Sequence, residues 1–367
     1  MIEHYSIRNF KIHEHTEVDL APITFMTGMN GMGKSSVIQT LLLLRQSYLK
    51  GKLSHGIELN GDLCSVGTSN EVECFSSKTG RLEIEMRENS NNLNLAFTYP
   101  SNGANTFLKR IPTGRMPVSS FSIFSKNFQY LSAYRNGPLD RYRRDTTVVE
   151  LDKQISSHNG EGEYVTHYLS RFGKNLIDPA LAHGGETGHE LELLRQVQLW
   201  LNEISPSITI EIKDALRDFY LGYKYPGTIN SIPATGTGFG ITYVLPILVA
   251  ILSAKRGTLI LLENPEAHLH PLGVKALTKL FIQASKAGIQ IIIETHCERM
   301  IVESLKAVHD GIISSSDLSI IYFEGVKGTL LSHAIQIGIS NEGCLSSDTP
   351  QSFYELIDPD YLSITIK

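Results

Sequence analysis

Eight consecutive residues, Gly28-Met29-Asn30-Gly31-Met32-Gly33-Lys34-Ser35, limit what this chain can fold into more than any other feature. They fit the spacing GxxxxGK[ST]; an apolar segment ending Ile23-Thr24-Phe25-Met26 precedes them, and a stretch whose apolar residues run nearly unbroken from Val37 to Leu44 follows. A strand, a glycine-rich turn and a helix buried on most sides are expected in that order. Glycines at 28, 31 and 33 let the backbone approach a ligand with its N–H groups facing it, and the helix start adds partial positive charge. Such a turn cradles phosphate. Asn30, Gly31, Met32, Gly33 and Ser36 would line the cradle, Lys34 would reach the β and γ phosphates of a nucleotide, and Ser35 would ligate Mg²⁺. A glycine-rich turn that binds nothing is the alternative reading.

The second half says more about the chemistry. Leu259-Ile260-Leu261-Leu262-Glu263-Asn264-Pro265-Glu266 is an apolar strand ending in acids, where a phosphate-loop fold holds the water shell of Mg²⁺, and Glu263 is expected in that role. A core strand ending in solvated acids is the plainer alternative. Ile291-Ile292-Ile293-Glu294-Thr295-His296 is a second buried strand with a polar end, from which His296 can contact a γ-phosphate. The HxH spacing of His268 and His270 suggests a metal, but no third ligand is placed near it.

Strands alternate with helices through the last third: helix 241–252, strand 258–262, helix 271–287, strand 290–293, helix 299–307 and strand 318–323. That alternation predicts a parallel α/β sheet. Between residues 53 and 97 short alternating stretches separated by glycines predict a small β-rich layer, and 100–125 reads as loop. A strand at 128–131, a helix at 162–169 and a polar helix at 190–204 are expected beyond it.

At 367 residues the chain suits two or three structural units, or one core with a large insertion. Its charge of −5, from 33 Lys and Arg against 38 Asp and Glu, excludes a polycationic nucleic-acid wrapper. The apolar run from Ile241 to Ala254 is broken by Pro246 and falls short of the ~20 residues that span a bilayer. With no secretory pattern at the start and no CxxC among the four cysteines, a soluble cytoplasmic protein is expected, with no membrane partner. The sharpest basic cluster is Arg135 with Arg141, Tyr142, Arg143 and Arg144, a candidate DNA or RNA contact or else an ion-paired surface.

Taken together, the chain resembles the ABC-type ATPases of the SMC, RecF and OLD group, in particular stand-alone bacterial ATPases of that kind without a Toprim nuclease domain. The residues that carry the likeness are Arg8-Asn9-Phe10-Lys11, the loop 28–36, the stretch Tyr130 to Pro138, Gly238 to Pro246, Glu263 to Pro271, and Glu294-Thr295-His296. The resemblance implies an α/β ABC-type head with an N-terminal β-rich layer and an inserted helical and loop region. Residues 1–99 would form its first part, 100–231 the insertion, and 232–367 its second part with a C-terminal cap. It also implies two heads sandwiching ATP between the phosphate loop of one and the signature of the other, Gly240 and Thr242 serving as the signature contacts.

Two departures bear on turnover. Thr242-Tyr243 stands where relatives carry Ser-Gln, and Asn264 stands where the hydrolytic glutamate follows the Mg²⁺ acid. An amide cannot take a proton from water, so Glu266 is the expected base, or turnover is slow. The chain after His296 is too short for a Toprim domain, so any nuclease would be a separate effector protein. Two functions follow: an ATPase, homodimeric or higher, that drives work on nucleic acid or a partner in phage defence or genome maintenance, and an ATP-bound scaffold that holds and releases an effector.

Overall fold

In the computed structural model, residues 1–101, 103–114, 116–185 and 188–357 are described, and the chain divides into two units. One holds Met1–Ser125, Ile292–Glu298 and the chain from Val308 onward; the other holds Lys126–Ile291 and Arg299–Ala307. The last ten positions of the expected C-terminal cap, 358–367, lie outside the described residues.

The β-rich layer of the first unit is a six-stranded antiparallel sheet. Its order is His13–Asp19, Ile2–Phe10, Arg81–Glu88, Asn91–Thr98, Phe107–Ile111 and Gly56–Glu58. Period-two patterning sets its faces: in Arg81–Glu88 the side chains of Leu82, Ile84, Met86 and Glu88 are buried while their neighbours face outward. Tyr5 pairs with Met86 and Ile7 with Ile84, which brings the two apolar rows together. The strand Phe107–Ile111 falls where a loop is expected from the sequence. It is short, and its neighbours are rich in Gly, Pro and Ser, so its ladders to Asn91–Thr98 and Gly56–Glu58 reveal it.

Strand Ile23–Gly28 is buried along its whole length and runs parallel to Leu318–Gly325, which pairs antiparallel with Ser332–Ile337. Continuous apolar runs of this kind belong to strands covered on both faces. Helix Lys34–Leu49 follows the glycine-rich turn and buries most of its sides, as its apolar run predicts.

In the second unit the strands Phe128–Leu131 and Leu259–Glu263 pair in parallel, Leu131 opposite Leu262. Helix Phe239–Leu252 is buried from Ile241 to Leu252 and packs against helix Leu193–Ile204, whose Trp200 is among the largest buried side chains. The polar helix begins at Leu193 rather than 190 because a 3₁₀ turn occupies Gly188–Leu191. A four-stranded antiparallel sheet of Tyr142–Arg143, Asp218–Lys224, Thr209–Asp214 and Ile232–Pro233 has its first three strands within 100–231, where the sequence suggested helices and loops. Phe219, Leu221 and Tyr223 form its buried row. Among the described residues no helix is long and apolar enough to cross a membrane.

Candidate nucleotide site

The expected site residues fall into two groups, one in each unit. In the first unit Gly28, Gly31 and Gly33 have φ of 131°, 79° and 90°, conformations that side chains disfavour. A Cβ on Gly28 would stand 2.2 Å from the carbonyl oxygen of Phe323, its neighbour in the parallel ladder. Gly28→Ala is therefore expected to lower stability by roughly 2–5 kcal/mol, read as a fall in the urea midpoint. An unchanged midpoint would contradict this packing.

Lys34 is buried, and its Nζ donates to the carbonyls of Gly28 at 2.8 Å and Met29 at 2.7 Å. The loop thus wraps around the ammonium, whose pKa burial lowers and the charge of Glu294 raises. Ser35 Oγ donates to Glu294 Oε1 at 2.7 Å. A hydroxyl beside a carboxylate is a pair of hard oxygen donors, the kind Mg²⁺ takes. Lys11, Asn30, Gly31, Lys34, Ser35 and Glu294 line a cavity of about 240 Å³ at this loop. Ser36 N donates to the Gly33 carbonyl as the helix begins, and Ser332 Oγ donates to the carbonyl of Met32, fixing the loop's far side.

Strand Gln290–Glu294 delivers two groups to the loop. Thr295 N donates to Met26 O at 3.1 Å, which registers the strand end beside Ile23–Gly28. His296 hydrogen-bonds the backbone of Gly28, and its pKa is lowered by partial burial and by the Lys34 charge. His296 was expected here. Glu294 was not given a role from sequence, although an acid ending a buried strand was the available signal.

His13 lies under the loop, also unforeseen. Its Nε2 faces the Gly33 carbonyl at 3.0 Å and must carry the hydrogen, so Nδ1 accepts from Thr16 Oγ1 at 2.8 Å. Burial pushes its pKa down to about 4, helped by the nearby Lys11 charge and opposed by the bond to Gly33. The unfolded chain takes up this proton near pH 6.5 and the folded chain near 4, so the unfolded state binds more protons in between. Stability is expected to be full above about pH 6.5 and to fall as pH drops toward 4. His13→Gln should remove that part of the slope in melting temperature against pH; an unchanged slope would count against a neutral buried His13.

In the second unit both oxygens of Glu263 are engaged: Oε1 accepts from Tyr130 Oη at 2.9 Å and Oε2 from the Ala133 amide at 3.2 Å. Burial raises its pKa, against these two bonds and the Arg135 charge. Asn264 has φ of 44°. Asparagine tolerates this left-handed conformation better than glutamate, which gives a backbone reason for the amide at this position. The Asn264 and Glu266 carbonyls accept from the Ala267 and Leu269 amides, closing the turn.

Arg135 is only 3% exposed. Its Nη1 donates to Ser132 O at 2.5 Å and Glu263 O at 2.7 Å, and its Nη2 to Asn264 O at 2.8 Å. Burial pushes its pKa down to about 10, opposed by Tyr243, Glu266 and Glu263. The basic cluster seen in the sequence is thereby broken up. Arg135 and Tyr142 are buried, Arg144 pairs with Asp214 at 2.5 Å, and Arg141 pairs with Asp218 at 3.7 Å. Tyr142 is no stacking platform.

Of the signature contacts, Thr242 is buried and its hydroxyl lies 3.2 Å from Tyr223 Oη. Gly240 sits so close to the chain that a Cβ would be 2.4 Å from His268 O. His268 packs its ring on Phe239 and Tyr243, and His270 Nδ1 accepts from Leu272 N at the start of helix Pro271–Lys286. Among the described residues no group of three His, Cys, Asp or Glu side chains could hold a metal ion.

Residues 23–297 match the family described as "AAA domain, putative AbiEii toxin, Type IV TA system". The Old nuclease of Escherichia phage P2 is 23% identical over 352 residues, covering 81% of this chain and 56% of that protein. The chain thus spans about half the length of that relative. Among solved structures, the Smc head bound to the C-winged helix domain of ScpA superposes with a TM-score of 0.53 at 14% identity, covering 91% of this chain and 97% of that one. A Smc head with an extended coiled coil, bound to the C-terminal domain of ScpA derived from Pyrococcus furiosus, gives 0.53 at 13% identity, covering 91% and 96%. These likenesses concern the fold. With residues 23–297 matched, most of its length, the chain belongs to this AAA-domain family, and it shares the fold of the Smc heads.

Proposed function

We propose that this protein binds and hydrolyses ATP as a head that closes into a homodimer around two Mg-ATP, and that this closure drives or gates a separate effector in nucleic-acid-related work such as phage defence or genome maintenance. The observation that carries the reading is the loop itself: Lys34 wrapped by the backbone of Gly28 and Met29, with Ser35 held against Glu294. We read residues 1–99 and 232–367 as the head and 100–231 as its insertion.

In this reading the backbone N–H groups of 30–36 and the Lys34 ammonium bind the phosphates, the ammonium exchanging its two carbonyl partners for phosphate oxygens. Ser35 and Glu263 would hold Mg²⁺, which when bound neutralises charge developing between the β and γ phosphates. The Ser35 hydroxyl and the Glu294 carboxylate beside it are hard oxygen donors of the kind that ion takes. With no all-protein cage for a metal among the described residues, the phosphates would complete its shell. His296 faces the γ-phosphate from the end of its strand. Glu266 accepts the proton of the attacking water, because the Asn264 amide cannot. Gly240 and Thr242 engage the nucleotide of the partner head, Thr242 after its hydroxyl leaves Tyr223.

A second reading is a slow or non-hydrolysing ATP-bound scaffold. The inward-turned Thr242 hydroxyl and the turn-forming Asn264 favour it. The nuclease in the name of the phage relative is the kind of effector that suits such a scaffold. Steady-state ATP turnover by the purified protein, with and without added DNA, separates the two. Turnover that DNA stimulates supports the first; tight ATP binding without turnover supports the scaffold and overturns the hydrolytic reading.

A further inference from the structure

The parallel ladder between Phe128–Leu131 and Leu259–Glu263 ends at Leu131 opposite Leu262. Past that point the side chain of Arg135 bridges the two turns. Its planar fork takes three carbonyls, Ser132 from one turn and Glu263 and Asn264 from the other. A guanidinium offers these bonds in fixed directions, which an ammonium does not. The turn it grips bends back through positive φ at Asn264 and again at His268, at 44° and 63°, and Glu266 lies between them. Such conformations persist only where surrounding contacts over-determine them.

The other face of Arg135 is also fixed. The guanidinium carbon lies 4.3 Å from the ring centre of Tyr243, and Tyr243 Oη donates to the Ala133 carbonyl. The amide of the same Ala133 donates to Glu263 Oε2. Tyr243 stands on helix Phe239–Leu252, one residue after Thr242 and within a turn of Gly240. The His268 ring closes the circle, edge-on to Tyr243 at 5.3 Å and against Phe239 at 4.6 Å. One connected set of contacts therefore runs from the first turn of that helix, through an aromatic face and a buried fork, to the main chain of the acid turn.

We infer that Arg135, stacked on Tyr243, is a positioning residue: it sets the turn 263–268 and ties its geometry to the first turn of helix Phe239–Leu252. The inference deepens the hydrolytic reading above and rests on it. Engagement of Gly240 and Thr242 by the partner's nucleotide would shift Tyr243, and through Arg135 the turn bearing Glu266. Tyr243 supplies the ring on which the guanidinium rests.

The test uses the full chain and the variants Arg135→Lys, Tyr243→Leu and Tyr243→Phe. Arg135→Lys and Tyr243→Leu are expected to cut kcat for ATP at least tenfold, with the Kd for a fluorescent ATP analogue within twofold of wild type. The double variant should be no worse than the worse single, and Tyr243→Phe, which keeps the ring face, should recover most of the loss. In parallel, amide exchange across 264–268 should quicken at least tenfold in the first two variants, a readout that needs no hydrolysis. A wild-type chain without turnover would sink the hydrolytic reading, and amide exchange would then decide this inference alone. Unchanged exchange overturns it. So does kcat within threefold of wild type, or a fall in kcat and melting temperature together with a rise in Kd in all three variants. Should Arg135→Lys fail to fold, Tyr243→Leu carries the same test.

Discussion

Lys34→Ala is expected to weaken ATP binding at least 100-fold. The ammonium is buried within the loop, where two of its three donors reach the Gly28 and Met29 carbonyls. Charge-assisted bonds to phosphate are roughly twice as strong as neutral ones, and a loss of about 2.8 kcal/mol already amounts to 100-fold. The variant should still fold. Its cost is two carbonyls left to water at a cavity wall, about 1–3 kcal/mol, which a melting curve will report separately. Tight binding of ATP by folded Lys34→Ala, measured by equilibrium titration, would contradict the assignment of the loop.

Glu266→Gln is expected to lower kcat by about 10²–10⁴ while ATP binding persists, since a general base contributes on that scale. The substitution is isosteric and leaves the main-chain bond from Leu269 N to the residue 266 carbonyl intact. Held before hydrolysis, the variant should accumulate as an ATP-bound dimer with twice the chain mass in light scattering, reverting when ATP is exchanged for ADP. Asn264 shows why the effect should be large: its amide already cannot serve, and its φ of 44° commits it to the turn. A turnover rate equal to wild type would move the base to another residue.

Much of this was legible because it is local in the chain. The octet 28–35 carries its own turn chemistry, and the apolar runs 259–262 and 291–293 declare buried strands without reference to anything distant. The C-terminal alternation of strand and helix and the period-two patterning of Arg81–Glu88 were readable for the same reason. Contacts across long separations were not. Ser35 meets Glu294 and Arg135 meets Asn264, and nothing near any of these residues in sequence announces the partner. The basic cluster left two readings open because charge in a sequence does not reveal burial: Arg135 spends its donors on carbonyls and Arg144 on Asp214. Short strands such as Phe107–Ile111 and Thr209–Asp214 were missed because each buries only one residue fully, too little for a period-two pattern to show. Thr242 is expected as a phosphate contact from the resemblance alone, and its bond to Tyr223 depends on the distant strand Asp218–Lys224.

The most direct test is phosphate release from ATP by the wild-type chain, Lys34→Ala and Glu266→Gln under one set of conditions with Mg²⁺ present. Expected are multiple turnovers by wild type, none by Lys34→Ala, and a residual rate at least 100-fold below wild type for Glu266→Gln with ATP still bound. Equal release by wild type and Lys34→Ala would mean that the loop at 28–35 is not where this protein uses ATP.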